Sequence, residues 1–141
     1  MSNLHKFHNF IKKIFIDKYC NVTGSRVLDL CSGRGGDIFK WLSNKNISYV
    51  RGYDINPDSV KEAKKRLKGY SHFKKKPISF KVLDLSEVSL KFDKKFDVIT
   101  SFFAFHYFFK NYKSINTVLK TIRDSSKSGT VLILTLFDGN L

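Results

Sequence analysis

Short apolar segments alternate with amphipathic helical segments along most of this 141-residue chain. The apolar segments are RVLDL, SYVRGYDI, ISFKVLDL, KFDVITSFF and TVLILTLF. The helical ones are LHKFHNFIKKIFIDKYC, GDIFKWLSN, NPDSVKEAKKRLKGYS and SINTVLKTIRDSS. Strands that alternate with helices pair in parallel, because each crossover returns the chain to the same edge of the sheet. The sequence therefore predicts one α/β domain over residues 1–141, with a Rossmann-like, doubly wound, mostly parallel sheet.

Local sequence signals predict where one helix begins and which positions of another helix are apolar. Asn56 can cap a helix, and Pro57 suits its first turn. Near the N-terminus, apolar side chains recur at helical spacing, with lysines mostly on the other side. This pattern predicts an amphipathic helix in an N-terminal arm of about residues 1–24, ahead of a core of about 25–141. Its predicted apolar positions are Phe7, Phe10, Ile11, Ile14 and Phe15.

The charge balance favours an anionic partner. Lys and Arg total 26 against 12 Asp and Glu, which gives a formal net charge of +14. Such a protein attracts polyanions, although a Lys-rich composition inherited from a biased genome would look the same. The segment 61–76 is the most basic stretch, and a solvated helix face accounts for most of it. Composition alone leaves RNA, DNA and acidic lipid open.

The cysteines and the hydropathy exclude several other classes. Cys20 and Cys31 are too few and too irregularly placed for a disulfide framework or a zinc site, so no metal is expected. No apolar run approaches the length that crosses a membrane, and no signal segment precedes the first helix. The expectation is an intracellular protein without a membrane partner.

A glycine-rich loop follows the first predicted strand in VLDLCSGRGGD, residues 27–37. Gly33, Gly35 and Gly36 would let a ligand approach the backbone, although turns also select glycine. Asp54 ends the next strand about twenty residues on, where an acid commonly receives ribose hydroxyls. Asp84 follows the third strand, where it could accept a hydrogen bond from an adenine amino group. Together these positions favour a nucleoside-bearing cofactor.

Four stretches together resemble the mRNA cap guanine-N7 methyltransferases, which use S-adenosylmethionine. These are VLDLCSGRGGDIFKW, GYDI, SVKEAKKR and FDVITSFFAFHYFF. The glycine loop is shared by many methyltransferases, whereas FAFHYFF is specific to this family. The resemblance runs from about Phe7 to the C-terminus, and VLILTLFDGNL looks most like the members from poxviruses and other large DNA viruses. For a viral member the expected location is the cytoplasm, in the viral factory or virion, and otherwise the nucleus.

The resemblance implies a role for each position that matches a family motif. FHNFIKK resembles the family's Asn-Lys motif. On the cofactor side, Lys12 would pair with the carboxylate, Gly33 would pass beneath the cofactor, Asp54 would bind the ribose and Asp84 the adenine. Phe102 stands where many members have a glutamine that touches the cofactor. On the cap side, the implied contacts are His8, Asn9, Phe103, His106 and Tyr107, with Tyr107 also near the cofactor. The implied contacts of the cap triphosphate are Arg34, Lys40 and Arg66.

The chemistry implied by the resemblance needs no catalytic acid or base. Guanine N7 attacks the sulfonium methyl with a free lone pair and loses no proton. The rate would come from in-line positioning and from the electrostatics of the site. Two other functions stay open: a methyltransferase for another RNA or a small molecule, and a basic, non-catalytic subunit of a capping complex. A nicotinamide enzyme is compatible with the fold alone.

The sequence departs from the family pattern at the glycine loop and at its end. Cys31 and Ser32 replace the usual Gly-Cys. The family continues with two more strands and an inserted segment after the stretch that matches TVLILTLF, which would otherwise be a bare apolar sheet edge. We therefore expect either a fragment or split gene that a second chain completes at the fifth strand, or a degenerate domain that still binds cofactor.

Overall fold

A parallel sheet forms the centre of the computed structural model, which describes residues 1–73 and 75–137. Within these residues it has five strands: β1 (Ser25–Leu30), β2 (Ile47–Asp54), β3 (Ile78–Val82), β4 (Val98–Phe102) and β5 (Val131–Thr135). Their order is β3-β2-β1-β4-β5, and every neighbouring pair is parallel. The predicted α/β, doubly wound sheet is therefore confirmed. The strand order reverses beside β1, where such sheets bind their ligands.

Helices cover both faces of this sheet. They are α1 (Asn3–Tyr19), α2 (Ile38–Ser43), α3 (Pro57–Gly69), α4 (Tyr112–Ser125) and a 3-10 helix (Phe105–Lys110). Asn56 caps α3 as predicted, because its side chain accepts from the N–H groups of Asp58 and Ser59. Asn111 caps α4 in the same way, through the N–H of Ser114. No helix of the described residues is long and apolar enough to cross a membrane.

Alternate residues of the central strand belong to two separate hydrophobic cores, one on each face of the sheet. Val27 of β1 packs with α1, α2 and α3, in a cluster that includes the fully buried Trp41. Leu28 and Leu30 point to the other face and pack with the 3-10 helix and α4. This alternation explains why the central strand reads as a continuous apolar run, since both of its faces are covered.

The predicted N-terminal helix is present as α1, but the protein leaves three of its five predicted apolar positions exposed. Phe7, Phe10 and Ile14 are 57%, 61% and 44% exposed. The helix instead packs through its C-terminal half, where Ile16 and the following Cys20 are buried in the core. Its N-terminal half lies over the carboxyl end of the sheet and turns polar side chains toward the glycine loop. Helical spacing therefore identifies the apolar positions of this helix but does not show which of them the rest of the protein covers.

Candidate functional site

The glycine loop between β1 and α2 contains three residues in the left-handed region of backbone conformation. Gly33 and Gly35 have φ of 61° and 79°, and Cys31 adopts 65°. Two hydrogen bonds tie the loop to the end of β2: Ser32 N–H donates to Tyr53 O (2.9 Å), and Gly33 N–H donates to Asp54 Oδ2 (2.8 Å). The Asp54 carboxylate therefore fixes the distance between the glycine loop and the C-terminal end of β2.

A cavity of about 540 Å³ opens beside this loop, at the carboxyl ends of the strands. It has the volume of a pocket for a small organic ligand. The sequence-predicted positions Gly33, Asp54, Asp84 and Tyr107 all line it. The other lining residues are Cys31, Ile55, Leu83, Leu85, Ser86, Ala104, Phe108 and Lys110. The structure thus brings together four residues that lie far apart in the chain.

The donor and acceptor pattern of this cavity suits a nucleoside. A Cβ built on Gly33 would meet nothing within 4 Å among the described residues, so the space above the loop is open. Asp84 Oδ1 accepts from the Ser86 hydroxyl (2.6 Å) and the Ser86 N–H (2.9 Å). The hydroxyl bond holds the pKa of Asp84 below its usual range, so this carboxylate stays an ionised acceptor. Acceptors at Asp54 and Asp84, with apolar side chains between them, match ribose hydroxyls and an adenine amino group.

A second polar cluster, defined here as Asn9, Lys12, Asp37 and Lys40, joins α1 to the glycine loop. Asp37 Oδ1 lies 2.9 Å from Lys12 Nζ and 2.8 Å from Lys40 Nζ. Lys40 Nζ also donates to Asn9 Oδ1 (3.2 Å). Sequence reasoning missed the role of Asp37 because nothing in a linear pattern connects residue 37 with residue 12. The carboxylate fixes two ammonium groups next to the loop, where they could receive an anionic part of a ligand.

Four of the predicted cap contacts, His8, Phe103, His106 and Tyr107, lie in one aromatic cluster, which Phe137 joins together through its contact with Phe103 (ring centroids 5.8 Å apart). The rings of His8 and Phe103 stack with centroids 4.0 Å apart. His106 lies 4.3 Å from Tyr107 and 5.2 Å from Phe137 by ring centroids. Its Nδ1 is buried and has no hydrogen-bond partner among the described residues. Phe137 was not predicted as a site residue, because the short apolar segment that contains it indicates only a strand.

Tyr107 connects the aromatic cluster to the cofactor-sized cavity. It is 69% exposed, and its ring also lines that cavity. Phe103 holds a φ of 58°, a strained conformation for a side-chain-bearing residue, and its N–H donates to Thr135 O (2.9 Å). The hydrogen bond to β5 keeps the strained residue in place, and strain of this kind concentrates at functional sites.

The remaining predicted contacts are not gathered into one place. Arg34 lines a different cavity against α3, and Arg66 pairs with Glu62 (3.1 Å) on the same helix. Lys40 points instead into the polar cluster with Asp37. Phe102 lies below Lys12, whose Nζ is 5.8 Å from the ring centroid. The predicted triphosphate contacts are therefore spread over the glycine loop, α2 and α3.

Asp29 is a buried carboxylate next to the polar cluster. It is 3% exposed and accepts from the Thr100 hydroxyl (2.8 Å). Burial and then the nearby Asp37 raise the pKa of Asp29 from 3.8 to about 7, although Thr100 and Lys12 act in the opposite direction.

We expect the free energy of unfolding to fall as pH rises from 5 to 8. In this range the folded state holds a proton on Asp29 that the unfolded chain has released, and it loses that proton as pH passes about 7. The contribution is fully present below the unfolded pKa of 3.8 and is lost above the folded one; between pH 5 and 8 it changes by about 2–3 kcal/mol. Urea unfolding at both pH values measures it. Asp29→Asn should flatten the profile, whereas the exposed Asp93→Asn should not; equal profiles for all three proteins would contradict the assignment.

Comparison with known families gives one match over the whole chain. Residues 1–141 match the model of the mRNA (guanine-N(7))-methyltransferase domain. The chain is 32% identical over 149 residues to mRNA cap guanine-N(7) methyltransferase 1 of Arabidopsis thaliana, covering 99% of this chain and 40% of the relative. It is 30% identical to a probable mRNA-capping enzyme of Acanthamoeba polyphaga mimivirus, covering 99% of this chain and 14% of that protein. The chain thus spans less than half the length of these relatives.

Solved structures share the fold. The PH0226 protein of Pyrococcus horikoshii superimposes with a TM-score of 0.74 at 25% identity, over 97% of this chain and 60% of that one. An S-adenosylmethionine-dependent methyltransferase from Clostridium acetobutylicum gives a TM-score of 0.70 at 20% identity, over 94% and 50%. At such low identity the second likeness concerns the fold alone.

Proposed function

Because this chain belongs to the mRNA (guanine-N7)-methyltransferase family, we propose that it binds S-adenosylmethionine and directs methyl transfer to N7 of the guanine in a GpppN cap. One observation carries the proposal. The cavity with two carboxylate acceptors meets, at Tyr107, an aromatic cluster that contains an unpartnered buried histidine nitrogen. A nucleoside cofactor on one side of Tyr107 and a purine on the other would place the two reacting groups next to each other.

On the cofactor side, Asp54 receives the ribose hydroxyls and Asp84 receives the adenine amino group. Gly33 leaves room for the cofactor above the loop, and Lys12 pairs with its carboxylate while Asp37 orients the ammonium group. S-adenosylmethionine bound there supplies an electrophilic sulfonium methyl. The protein's own contribution is to hold this group in a fixed direction, since the loop is tied to β2 through Asp54.

On the cap side, the aromatic cluster holds the guanine. The stacked rings of His8 and Phe103 offer a flat apolar surface to the base. His106 donates a hydrogen bond to guanine O6, and Asn9 lies near the same group. No residue has to remove a proton, because N7 attacks with its lone pair. Orientation and a partly dehydrated site would therefore supply the rate. Arg34, Lys40 and Arg66 are the proposed partners of the triphosphate.

Calorimetric titration with S-adenosylmethionine, followed by GpppG on the same sample, tests this function. We expect both to bind, with the cap analogue binding more tightly once the cofactor is present. Binding of cofactor without cap would favour another acceptor or a missing partner. No binding of either would remove the proposed function.

Replacing His106 by alanine should separate the two halves of the site. We expect GpppG affinity to fall about tenfold or more, because a hydrogen bond to a buried purine edge is lost. The affinity for S-adenosylmethionine should stay within about twofold, since His106 does not line the cofactor cavity. Phe109→Ala serves as a control, because Phe109 is 63% exposed and lies in the same 3-10 helix. Equal loss of both affinities in His106→Ala would make this residue structural.

We also propose that a second chain or a further segment pairs with β5. Within the described residues the only strand that pairs with β5 is β4, and Leu132 and Leu136 are 41% and 47% exposed. An apolar sheet edge of this kind is normally covered in a folded protein. If the partner carries the rest of the cap pocket, this chain would act as its cofactor-binding subunit. The complex would work where transcripts are capped, in the nucleus or, for a virus that transcribes there, in the cytoplasm.

A further inference from the structure

A row of cations runs from the glycine loop along α3. It is called here the basic track and consists of Arg34 of the loop and of Lys61, Lys64, Lys65 and Lys68 of α3. These residues line a second cavity, of about 580 Å³, on the outer side of the glycine loop. The four lysines are exposed, and none of them forms an ion pair with any residue of 1–73 or 75–137. Their positive charge is therefore available to a partner.

The acidic residues of this cavity neutralise little of that charge. Asp58 and Glu62 also line it. Glu62 Oε1 accepts from Arg66 Nε (3.1 Å), so its charge is already matched by a sixth cation. The lysines of the track, from Lys61 to Lys68, span about 10 Å of helix. This length corresponds to about three phosphates of a stacked strand, at ~3.4 Å each along the axis.

An aromatic cluster follows the basic track at the C-terminal end of α3. It is called here the α3 aromatic cluster and consists of Phe39, Tyr70, His72 and Phe73. Phe39 lies 5.8 Å from Phe73 and 6.3 Å from Tyr70, and His72 lies 4.7 Å from Phe73, all by ring centroids. Phe39 of α2 is 50% exposed, and His72 is exposed as well. Exposed rings beside a row of cations are the arrangement that binds single-stranded nucleic acid, with phosphates on the cations and bases on the rings.

We propose that the basic track and the α3 aromatic cluster bind the single-stranded RNA that follows the cap. Arg34 lies next to Gly33, which lines the cofactor cavity, so the track begins at the glycine loop and leads away from it. The lysines contact phosphates and Phe39 stacks on a base. This inference rests on the proposed function and extends it from the cap to the body of the transcript. An acidic protein would also pair with the lysines, but its carboxylates would not bind the exposed ring of Phe39.

Fluorescence anisotropy with a 5′-capped 20-nucleotide RNA, measured across a salt series, tests the inference. The variant is Lys61→Gln/Lys65→Gln/Lys68→Gln, which keeps helix propensity and removes three charges. The matched control is Lys91→Gln/Lys94→Gln/Lys120→Gln, three exposed lysines outside the track. For the track variant we expect RNA affinity at low salt to fall about tenfold or more, and the log–log salt slope to fall by about 2, since each single-strand contact contributes ~0.7. Phe39→Ala should weaken RNA binding at least about fivefold without changing the slope.

Binding of GpppG and of S-adenosylmethionine is measured on the same variants and separates this inference from the proposed function. We expect both to be unchanged in the track variant. Equal losses of RNA affinity in the track and control variants would overturn the inference, because they would report net charge alone. An unchanged affinity in Phe39→Ala, together with equal competition by polyglutamate, would overturn it in favour of an acidic protein. If wild-type protein binds neither GpppG nor cofactor but keeps the track-dependent salt slope, the proposed function fails while the RNA surface stands.

Discussion

Replacing Asp54 by alanine is expected to lower the affinity for S-adenosylmethionine by about 100-fold or more. Hydrogen bonds to an ionised acceptor contribute about 1.5–3 kcal/mol each, and the proposed ribose contact uses two of them. The substitution also removes the acceptor of the Gly33 N–H, so the glycine loop loses its bond to β2. Both effects reduce cofactor affinity. Isothermal titration calorimetry measures the change directly.

The matched control for this prediction is Asp58→Ala. It removes the same charge four residues further on, at the exposed start of α3, and Asp58 does not line the cofactor cavity. We expect its cofactor affinity to stay within about twofold of wild type, with a small loss of stability from the first turn of the helix. An Asp54→Ala protein that is folded by circular dichroism and binds cofactor normally would exclude Asp54 from the site.

Gly35→Ala should produce the largest loss of stability among small changes in the glycine loop. A Cβ at this position would lie 2.7 Å from Ile38 Cδ1 and 3.0 Å from the Cα of Ala63. The φ of 79° is also unfavourable for alanine. Since the backbone of α3 cannot move without disturbing the core around Ala63, we expect a loss of about 3 kcal/mol or more. Thermal unfolding should show a Tm lower by about 10 °C or more.

Gly36→Ala is the neighbouring control for that prediction. A Cβ on Gly36 meets nothing within 4 Å among the described residues, and its backbone is not in the left-handed region. Its Tm should therefore stay within about 3 °C of wild type, or rise slightly because alanine restricts the unfolded chain. Equal Tm values for the two variants would contradict this prediction, because they would show that the loop accommodates a Cβ at Gly35 without a loss of stability.

Local sequence patterns predicted the elements of the fold well because their causes are local. The strand RVLDL is apolar on both faces since helices cover both, and Asn56 and Pro57 begin α3 through contacts within a few residues. The glycine loop and Asp54 were also readable, because a strand, a turn and the end of the next strand have a fixed relation in parallel α/β sheets.

Long-range placement could not be predicted in the same way. Asp37 reads as an ordinary residue at the start of a helix, and its pairing with Lys12 depends on how α1 crosses the loop. The exposure of Phe7 and Phe10 has the same origin, because a helical repeat shows that one face is apolar without showing what covers it. The stacking of His8 on Phe103 joins α1 to the segment that follows β4, and no local sequence pattern indicates it.

The central position of β1 also determines when the molecule can become complete during folding. β1 pairs with β2 soon after it in the chain, but its other neighbour is β4, and the Arg26 N–H donates to Asp97 Oδ2 across 71 residues. Contacts of such large sequence separation slow folding, because a long loop must close before they form. The walls of the cofactor cavity include Ala104 and Tyr107, which come later still. The cavity can therefore be complete only once the residues that follow β4 have been synthesised and β4 has paired with β1.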